Sequence, residues 1–185
     1  MAPQPRFSLS FWIPFRPEDV FTELTNFHAP LGVESTQVRY SLINTSGSTD
    51  LSDVKVLRIG HIRRAEFRSG MKGETIAEVL ALEEPRLVHW RQLKSKLFVN
   101  MVGGGSGEGG GPEYTLQLDA DRMGTRVTMS YWFDRVSIEG WLCLVTPCMP
   151  AVLHRTLLSR SQVVWEADML RRGYEPTTEE ALRSA

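Results

Sequence analysis

The sequence predicts an α+β protein in which an antiparallel sheet of six or seven strands precedes one long helix. In the first two thirds of the chain, apolar and polar residues alternate over short segments that end in turn residues. This pattern is typical of strands with one buried face. Between Pro150 and Arg172 the chain contains no glycine or proline, and its apolar residues recur at helical spacing. Short turns between successive strands favour antiparallel pairing.

The first elements have clear boundaries in the sequence. The stretch from Phe7 to Ile13 alternates as a strand, and Pro17 then suits the first position of a helix that runs to about Asn26. The two acidic residues after Pro17 favour the positive end of the helix dipole. The remaining extended segments are predicted at residues 37–43, 54–68, 74–82, 86–93, 97–102, 114–118 and 127–133.

The long helix is predicted to end before Gly173, a residue type that is favoured just after the last helical turn. Residues 103–111 (GGGSGEGGG) hold seven of the 15 glycines and predict a flexible loop. This loop formally matches GxGxxG, but a proline and a strand follow it, so no phosphate-binding loop is predicted. The apolar stripe of the helix is predicted to contain Leu153, Leu157, Val164 and Ala167, with Val163 and Leu170 beside it.

Composition excludes several classes of protein. The chain of 185 residues, 42% hydrophobic and 23% charged, suits a single domain at residues 1–174 with a flexible tail at 175–185. Its net charge of −1 argues against a nucleic-acid binder. Two cysteines and four separated histidines lack metal-ligand spacing, so neither a metal nor a cofactor is expected. Reduced thiols and the lack of a leader-like segment favour a soluble, intracellular protein, most simply cytoplasmic, with an organelle not excluded.

Five short motifs occur in order over residues 6–173. They are Pro17-Glu18-Asp19-Val20-Phe21, Ile59-Gly60-His61-Ile62-Arg63, Ser69-Gly70, Glu83-Glu84-Pro85-Arg86-Leu87 and Gly124-Thr125-Arg126-Val127-Thr128. These motifs resemble those of the START-like or SRPBCC superfamily, which includes polyketide cyclases and pollen-allergen-like proteins. The resemblance implies a helix-grip fold, in which a curved antiparallel sheet wraps around the long C-terminal helix and encloses an apolar cavity. It also implies a ligand class, since the family includes lipid, sterol and hormone carriers, quinone-binding proteins and a minority of enzymes.

The apolar strand faces and the helix stripe would line this cavity. The alternative is that the same side chains simply fill a core. The candidate ligand-binding residues are Phe11, Tyr40, Ile59, His61, Arg63, Phe67, Ile76, Glu78, Trp90, Tyr114, Leu116, Met129, Tyr131, Phe133, Leu153, Leu157 and Val164.

Charged residues on apolar strand faces are the candidate specificity points. A buried charge must be paired or must meet a polar ligand. Arg63 could therefore bind a ligand carboxylate, phosphate or carbonyl, or it could form an internal ion pair with Glu78 on the neighbouring strand. His61 could act as an acid or base near neutral pH, or it could be a core or rim residue.

Three functions follow from these patterns. The first is binding or transport of a small hydrophobic molecule, such as a lipid, isoprenoid, quinone or polyketide-like compound. Its polar end would be oriented by Arg63 with His61, Glu78 and Tyr114. The second is a cyclase or aromatase in which His61, Glu78 or Tyr114 moves protons. The third is a module that contacts a protein or a membrane through the apolar residues 141–150.

Overall fold

A computed structural model describes residues 7–31, 38–43, 54–67, 73–95, 113–121, 123–132 and 161–178. The predicted extended apolar run at 97–102, the glycine loop at 103–111 and the apolar segment at 141–150 lie outside the described residues. Phe133, Leu153 and Leu157 lie outside them as well. Among the described residues, no helix is both long and apolar enough to cross a bilayer.

Seven strands are present in the described residues, and a short helix follows the first of them. The strands are β1 (Phe7–Ile13), β2 (Val38–Ile43), β3 (Ile62–Phe67), β4 (Gly73–Glu83), β5 (Leu87–Ser95), β6 (Glu113–Asp121) and β7 (Gly124–Trp132), and the helix α1 is Pro17–Thr25. These strands form one antiparallel sheet in the order β1-β7-β6-β5-β4-β3-β2, so that β1 and β2 lie at opposite edges. The predicted α+β class is confirmed, with seven strands among the described residues.

The core lies on one face of the sheet, called here the inner face. In β1, β6 and β7 the alternation of the sequence is kept, so that Phe11, Leu118 and Val127 all point to this side and are buried. A C-terminal helix, α2, covers residues 161–171. It packs on the inner face, where the ring of Trp165 meets Phe11 edge to face with centroids 5.3 Å apart.

The ends of both helices follow from local chemistry. Pro17 occupies the first turn of α1 with its two acidic neighbours, as predicted, and the helix ends at Thr25. At the end of α2, Gly173 has a φ of 88°, and its N–H donates to the carbonyl of Leu170. The N–H of Tyr174 donates to the carbonyl of Met169. These two bonds form the Schellman arrangement, which confirms the predicted role of Gly173.

A polar cluster joins α1 to the end of α2. Arg172 donates to the carboxylates of Glu23 and Asp168, with 2.9 Å from Nη2 to Asp168 Oδ2. The hydroxyl of Tyr174 donates to the other oxygen of Glu23 at 2.7 Å. Burial alone lowers the pKa of Arg172, but its hydrogen bonds to Asp168 and Glu23 raise the pKa on balance. Beyond the helix, the N–H of Thr177 donates to the carbonyl of Pro14 at 2.7 Å.

At Gly124, where β7 begins beside the end of β1, there is no space for a side chain. A Cβ atom there would collide with the carbonyl oxygen of Ile13 and would lie 2.9 Å from the Cα of Pro14. The next residue, Thr125, is fully buried, and its hydroxyl donates to the carbonyl of Phe15 at 2.6 Å. The glycine therefore lets the end of β1 approach the start of β7.

Two parts of the sheet differ from the predicted alternation. Gly60 has a φ of 82° and turns the chain, so β3 begins at Ile62 and not near residue 54. Strand β4 pairs with β5 through register shifts at Ile76/Ala77 and at Val79/Ala81. Each shift changes which residues oppose one another, because one strand carries an extra residue there.

Candidate functional site

A row of polar aromatic side chains crosses the inner face of the sheet. Trp90 on β5 and Tyr114 on β6 are directly opposite each other, and their rings are stacked with centroids 6.2 Å apart. Tyr114 in turn lies opposite Tyr131 on β7, with centroids 6.0 Å apart. Tyr40 on β2 faces the same side, because Val38 and Leu42, two residues before and after it in the strand, are both buried in the core.

Arg63 of β3 lies within this row. Its guanidinium carbon is 4.7 Å from the ring centroid of Tyr40 and 4.4 Å from that of Trp90. A cation over two aromatic faces is stabilised by the negative charge density of the rings. Across the sheet, Arg63 is opposite Leu42 on one side and Ala77 on the other. The charge therefore lies on the same face as the hydrophobic core.

One nitrogen of this guanidinium, Nη1 of Arg63, is buried and has no hydrogen-bond partner among the described residues. Buried polar atoms in proteins are nearly always hydrogen-bonded, so an unpaired charged donor is unusual. Burial lowers the pKa of Arg63, while nearby Tyr114 and Tyr40 act in the opposite direction. The arginine is the most conspicuous unsatisfied group on the inner face.

The alternative of an internal Arg63–Glu78 pair is wrong for this fold. Glu78 lies opposite Ile62 in β3 and opposite Arg91 in β5. Residues directly opposite each other share a face, and neighbours along a strand alternate. Glu78 therefore shares the outer face with Ile62 and Arg91, while Arg63 is on the inner face.

The buried tyrosines of the aromatic row are held in the protonated form. Burial raises the pKa of Tyr114 to about 12, although the positive charge of Arg63 acts against this rise. Burial also raises the pKa of Tyr40 and of Tyr131. At neutral pH each phenol therefore retains its proton and can donate a hydrogen bond.

We expect Tyr114→Phe to reduce the loss of stability at alkaline pH. A phenol whose pKa rises from 10.0 to about 12 on folding stabilises the fold below pH 10, and this contribution is lost as the pH rises to 12. Urea unfolding of the wild type and the variant at several pH values between 9 and about 12 would measure the difference. Equal pH slopes for both proteins would contradict the assigned burial of this hydroxyl.

Most of the predicted lining residues that the structure describes do face the core side. Phe67 is half-buried on the inner face, opposite Val38. Sequence reasoning did not include four residues that also lie there. Two of them, Trp165 and Met169, could have been recognised in the sequence, because they are large apolar residues four positions apart in the predicted helix. The residues placed on the inner face as predicted are Phe11, Tyr40, Arg63, Phe67, Trp90, Tyr114, Leu116, Met129 and Tyr131, and those added are Ala77, Val79, Trp165 and Met169.

Five predicted lining residues that the structure describes are not among those placed on the inner face, and one of them, His61, lies in the turn before β3. Ile59 is 62% exposed, because the turn at Gly60 takes it out of the strand. Ile76 and Glu78 point to the outer face. They alternate along β4 with Ala77 and Val79, which are buried on the inner face. Val164 is 43% exposed, because α2 turns Trp165 and Met169 towards the sheet instead.

The three candidate catalytic residues do not come together. The side chain of His61 is half-buried in the turn before β3, where its Nδ1 accepts the N–H of Arg58 at 3.1 Å. Burial, together with the charge of Arg58, lowers the pKa of His61. Glu78 is on the outer face and Tyr114 on the inner face, so no acid–base pair forms among them. Within the described ranges, no group of three or more His, Cys, Asp or Glu residues could hold a metal ion.

Comparison with known proteins identifies the fold. No family model matches the sequence, and no curated protein matches it closely enough to be counted. Protein MLL2253 from Mesorhizobium loti superposes with a TM-score of 0.55 at 13% identity, over 91% of this chain and 98% of that chain. A protein from Rhodobacter sphaeroides gives a TM-score of 0.52 at 15% identity, over 94% and 97% of the two chains.

This chain has the helix-grip fold. The resemblance indicated by the sequence motifs is confirmed at the level of the fold. Ara h 8.0201 is also similar, with a TM-score of 0.48 at 11% identity, over 83% of this chain and 97% of that chain. In this helix-grip protein, the aromatic row and Arg63 occupy the sheet face that α2 packs against.

Proposed function

We propose that the protein binds a small hydrophobic molecule between the inner face of the sheet and α2, with the polar end of that molecule at Arg63. The observation that carries the proposal is the buried Nη1 of Arg63, which has no hydrogen-bond partner among the described residues and lies on an otherwise apolar and aromatic face. A buried charge without a partner is costly, and a polar group of a ligand would supply the missing partner.

The surroundings of Arg63 support an apolar body for the ligand. Leu116 and Met129 lie opposite each other on the inner face, next to the stacked rings of Tyr114 and Tyr131. Removal of apolar surface from water stabilises a complex by roughly 25 cal/mol per Å², and this contribution does not depend on how the ligand is oriented. Such a face gives affinity for lipids, isoprenoids, quinones or polyketide-like compounds alike, and the polar contact gives orientation.

Binding without catalysis is favoured over proton transfer by the placement of the candidate residues. A cyclase of the predicted kind needs acids and bases within hydrogen-bond reach of one substrate. His61, Glu78 and Tyr114 are separated by the turn before β3 and by the two faces of the sheet. Contact with a protein or membrane through residues 141–150 concerns a part of the chain outside the described residues.

The first test is whether space beside Arg63 is open to a ligand. Ala65 is buried on the inner face, opposite Tyr40 and Thr75. We expect Ala65→Phe to keep the thermal midpoint and to weaken binding of the neutral probe N-phenyl-1-naphthylamine by about tenfold, because the new ring takes the place of the ligand. Probe fluorescence and thermal unfolding of delipidated protein would measure both effects.

The matched control is Ala81→Phe, since Ala81 lies opposite His89 on the outer face of the same sheet. This variant is expected to bind the probe as the wild type does. A filled core would give a different result, because an added ring in a packed interior costs about 1–3 kcal/mol. A strongly destabilised Ala65→Phe variant, together with a wild type that does not bind the probe saturably, would refute the proposed function.

A further inference from the structure

The polar groups around Arg63 have one chemical property in common, which is that they donate hydrogen bonds. The guanidinium has five N–H donors and no acceptor. The phenols of Tyr40 and Tyr114 stay protonated at neutral pH because burial raises the pKa of each. The one buried atom of these three side chains that has no hydrogen-bond partner among the described residues is Nη1 of Arg63. The site therefore offers donors to whatever fills it.

No described acidic side chain neutralises this arginine. The one carboxylate that the sequence suggested, Glu78, is on the outer face, and the described ion pairs of the sheet are also formed there. Those pairs include Arg64 with Glu74 and Arg91 with Glu113. Two aromatic rings at 4.7 and 4.4 Å stabilise the cation only in part.

We propose that the hydrophobic ligand carries a carboxylate, which is bound by Arg63 Nη1 and by the hydroxyls of Tyr40 and Tyr114. This inference rests on the proposed function and names the ligand class. A carboxylate has only acceptors, so it complements a site made of donors. One fixed positive charge balances one negative charge, whereas a phosphate monoester brings a charge of about −1.5 to −2 at pH 7.

The experiment compares probes that differ only at the polar end. One set is dodecanoate, 1-dodecanol and dodecyl phosphate, and a second, with a flat ring system, is 1-pyrenebutyrate and 1-pyrenebutanol. Binding to delipidated wild-type protein is measured by calorimetry for the chains and by pyrene fluorescence for the rings. We expect the acid of each set to bind about 10- to 100-fold more tightly than the alcohol, as for a charge-assisted hydrogen bond formed away from water.

Three variants assign the preference to the site. Arg63→Met keeps an apolar stem of similar length and is expected to bind the acid and the alcohol equally. Tyr114→Phe removes one hydroxyl but keeps the stacked ring, so it should reduce the preference about fivefold. Arg64→Met is the matched control, because Arg64 is the next residue of β3, points to the outer face and pairs with Glu74. It should leave the preference unchanged.

The outcomes separate the inference from the function on which it rests. Equal binding of acid and alcohol by the wild type would overturn the carboxylate and leave the hydrophobic site standing. Tighter binding of dodecyl phosphate than of dodecanoate would also overturn it. Saturable binding of no probe in either set would refute the proposed function itself. If Arg63→Met fails to fold, an unchanged acid preference in Tyr114→Phe and in Tyr40→Phe would still count against the assigned site.

Discussion

Replacement of Gly124 by alanine is expected to lower the free energy of unfolding by about 3 kcal/mol. The added methyl group would collide with the carbonyl oxygen of Ile13 and approach the Cα of Pro14. Both atoms belong to the backbone, so no side-chain rotation can relieve the contact. The chain must instead separate β1 from β7 where Thr125 makes its buried hydrogen bond to Phe15. Urea unfolding followed by tryptophan fluorescence would measure the loss.

The matched control for this variant is Gly173→Ala. At Gly173 an added Cβ would meet no atom within 4 Å, but the φ of 88° is unfavourable for a residue with a side chain. The expected cost there is about 1 kcal/mol, and it is purely conformational. An ordinary surface substitution changes the free energy of unfolding by about 0.5 kcal/mol or less. If the free energy of unfolding of Gly124→Ala differs from that of the wild type by no more than this, the close approach of β1 to β7 is disproved.

The second large effect is expected for Arg172→Met. This change leaves the carboxylates of Glu23 and Asp168, which are 12% and 11% exposed, without their shared cation. Removal of one partner from a largely buried ionic cluster costs about 3 kcal/mol, because the remaining charges stay desolvated and repel each other. Thermal and urea unfolding would both show the loss, and the end of α2 would separate from α1.

The neighbouring Arg171 provides the control. Its side chain is 66% exposed and lies 3.7 Å from Asp168, so Arg171→Met should change the stability by less than about 0.5 kcal/mol. Neutralising Glu23 as well, in the double variant Arg172→Met with Glu23→Gln, should recover part of the loss. An Arg172→Met protein as stable as Arg171→Met would show that the cluster does not join the two helices.

Much of the fold could be predicted from the sequence, because most strands bury only one face. In β6 and β7 every second residue is apolar, so the alternation identifies Leu118 and Val127 as core residues. In β4 it does not, since apolar residues occur on both sides of the strand and Leu80 is the extra residue of a register shift. A periodic pattern cannot show such a shift, and the predicted face of Ile76 and Glu78 was therefore wrong.

The candidate site was predicted in part. The alternation placed Arg63, Tyr114 and Trp90 on apolar faces, and the structure brings them together on the inner face from strands β3, β6 and β5. The absence of an Arg63–Glu78 pair depends on which residues of β3 and β4 are opposite each other, and pairing between strands is not encoded in either strand alone. The exposed position of Ile59 depends on the positive φ of Gly60.

The pairing of β1 with β7 also affects how the protein folds. Phe7 is opposite Tyr131, so β1 can pair only after residues more than a hundred positions later in the chain have been synthesised. Contacts of such long range slow folding, because the entropy of closing the loop is lost before the pairing compensates for it. During synthesis on the ribosome, β1 has no neighbouring strand to pair with in the sheet until β7, which ends at residue 132, has emerged. We therefore expect nascent chains that end before β7 to depend on chaperones, and the completed chain to fold on a timescale of about milliseconds to seconds.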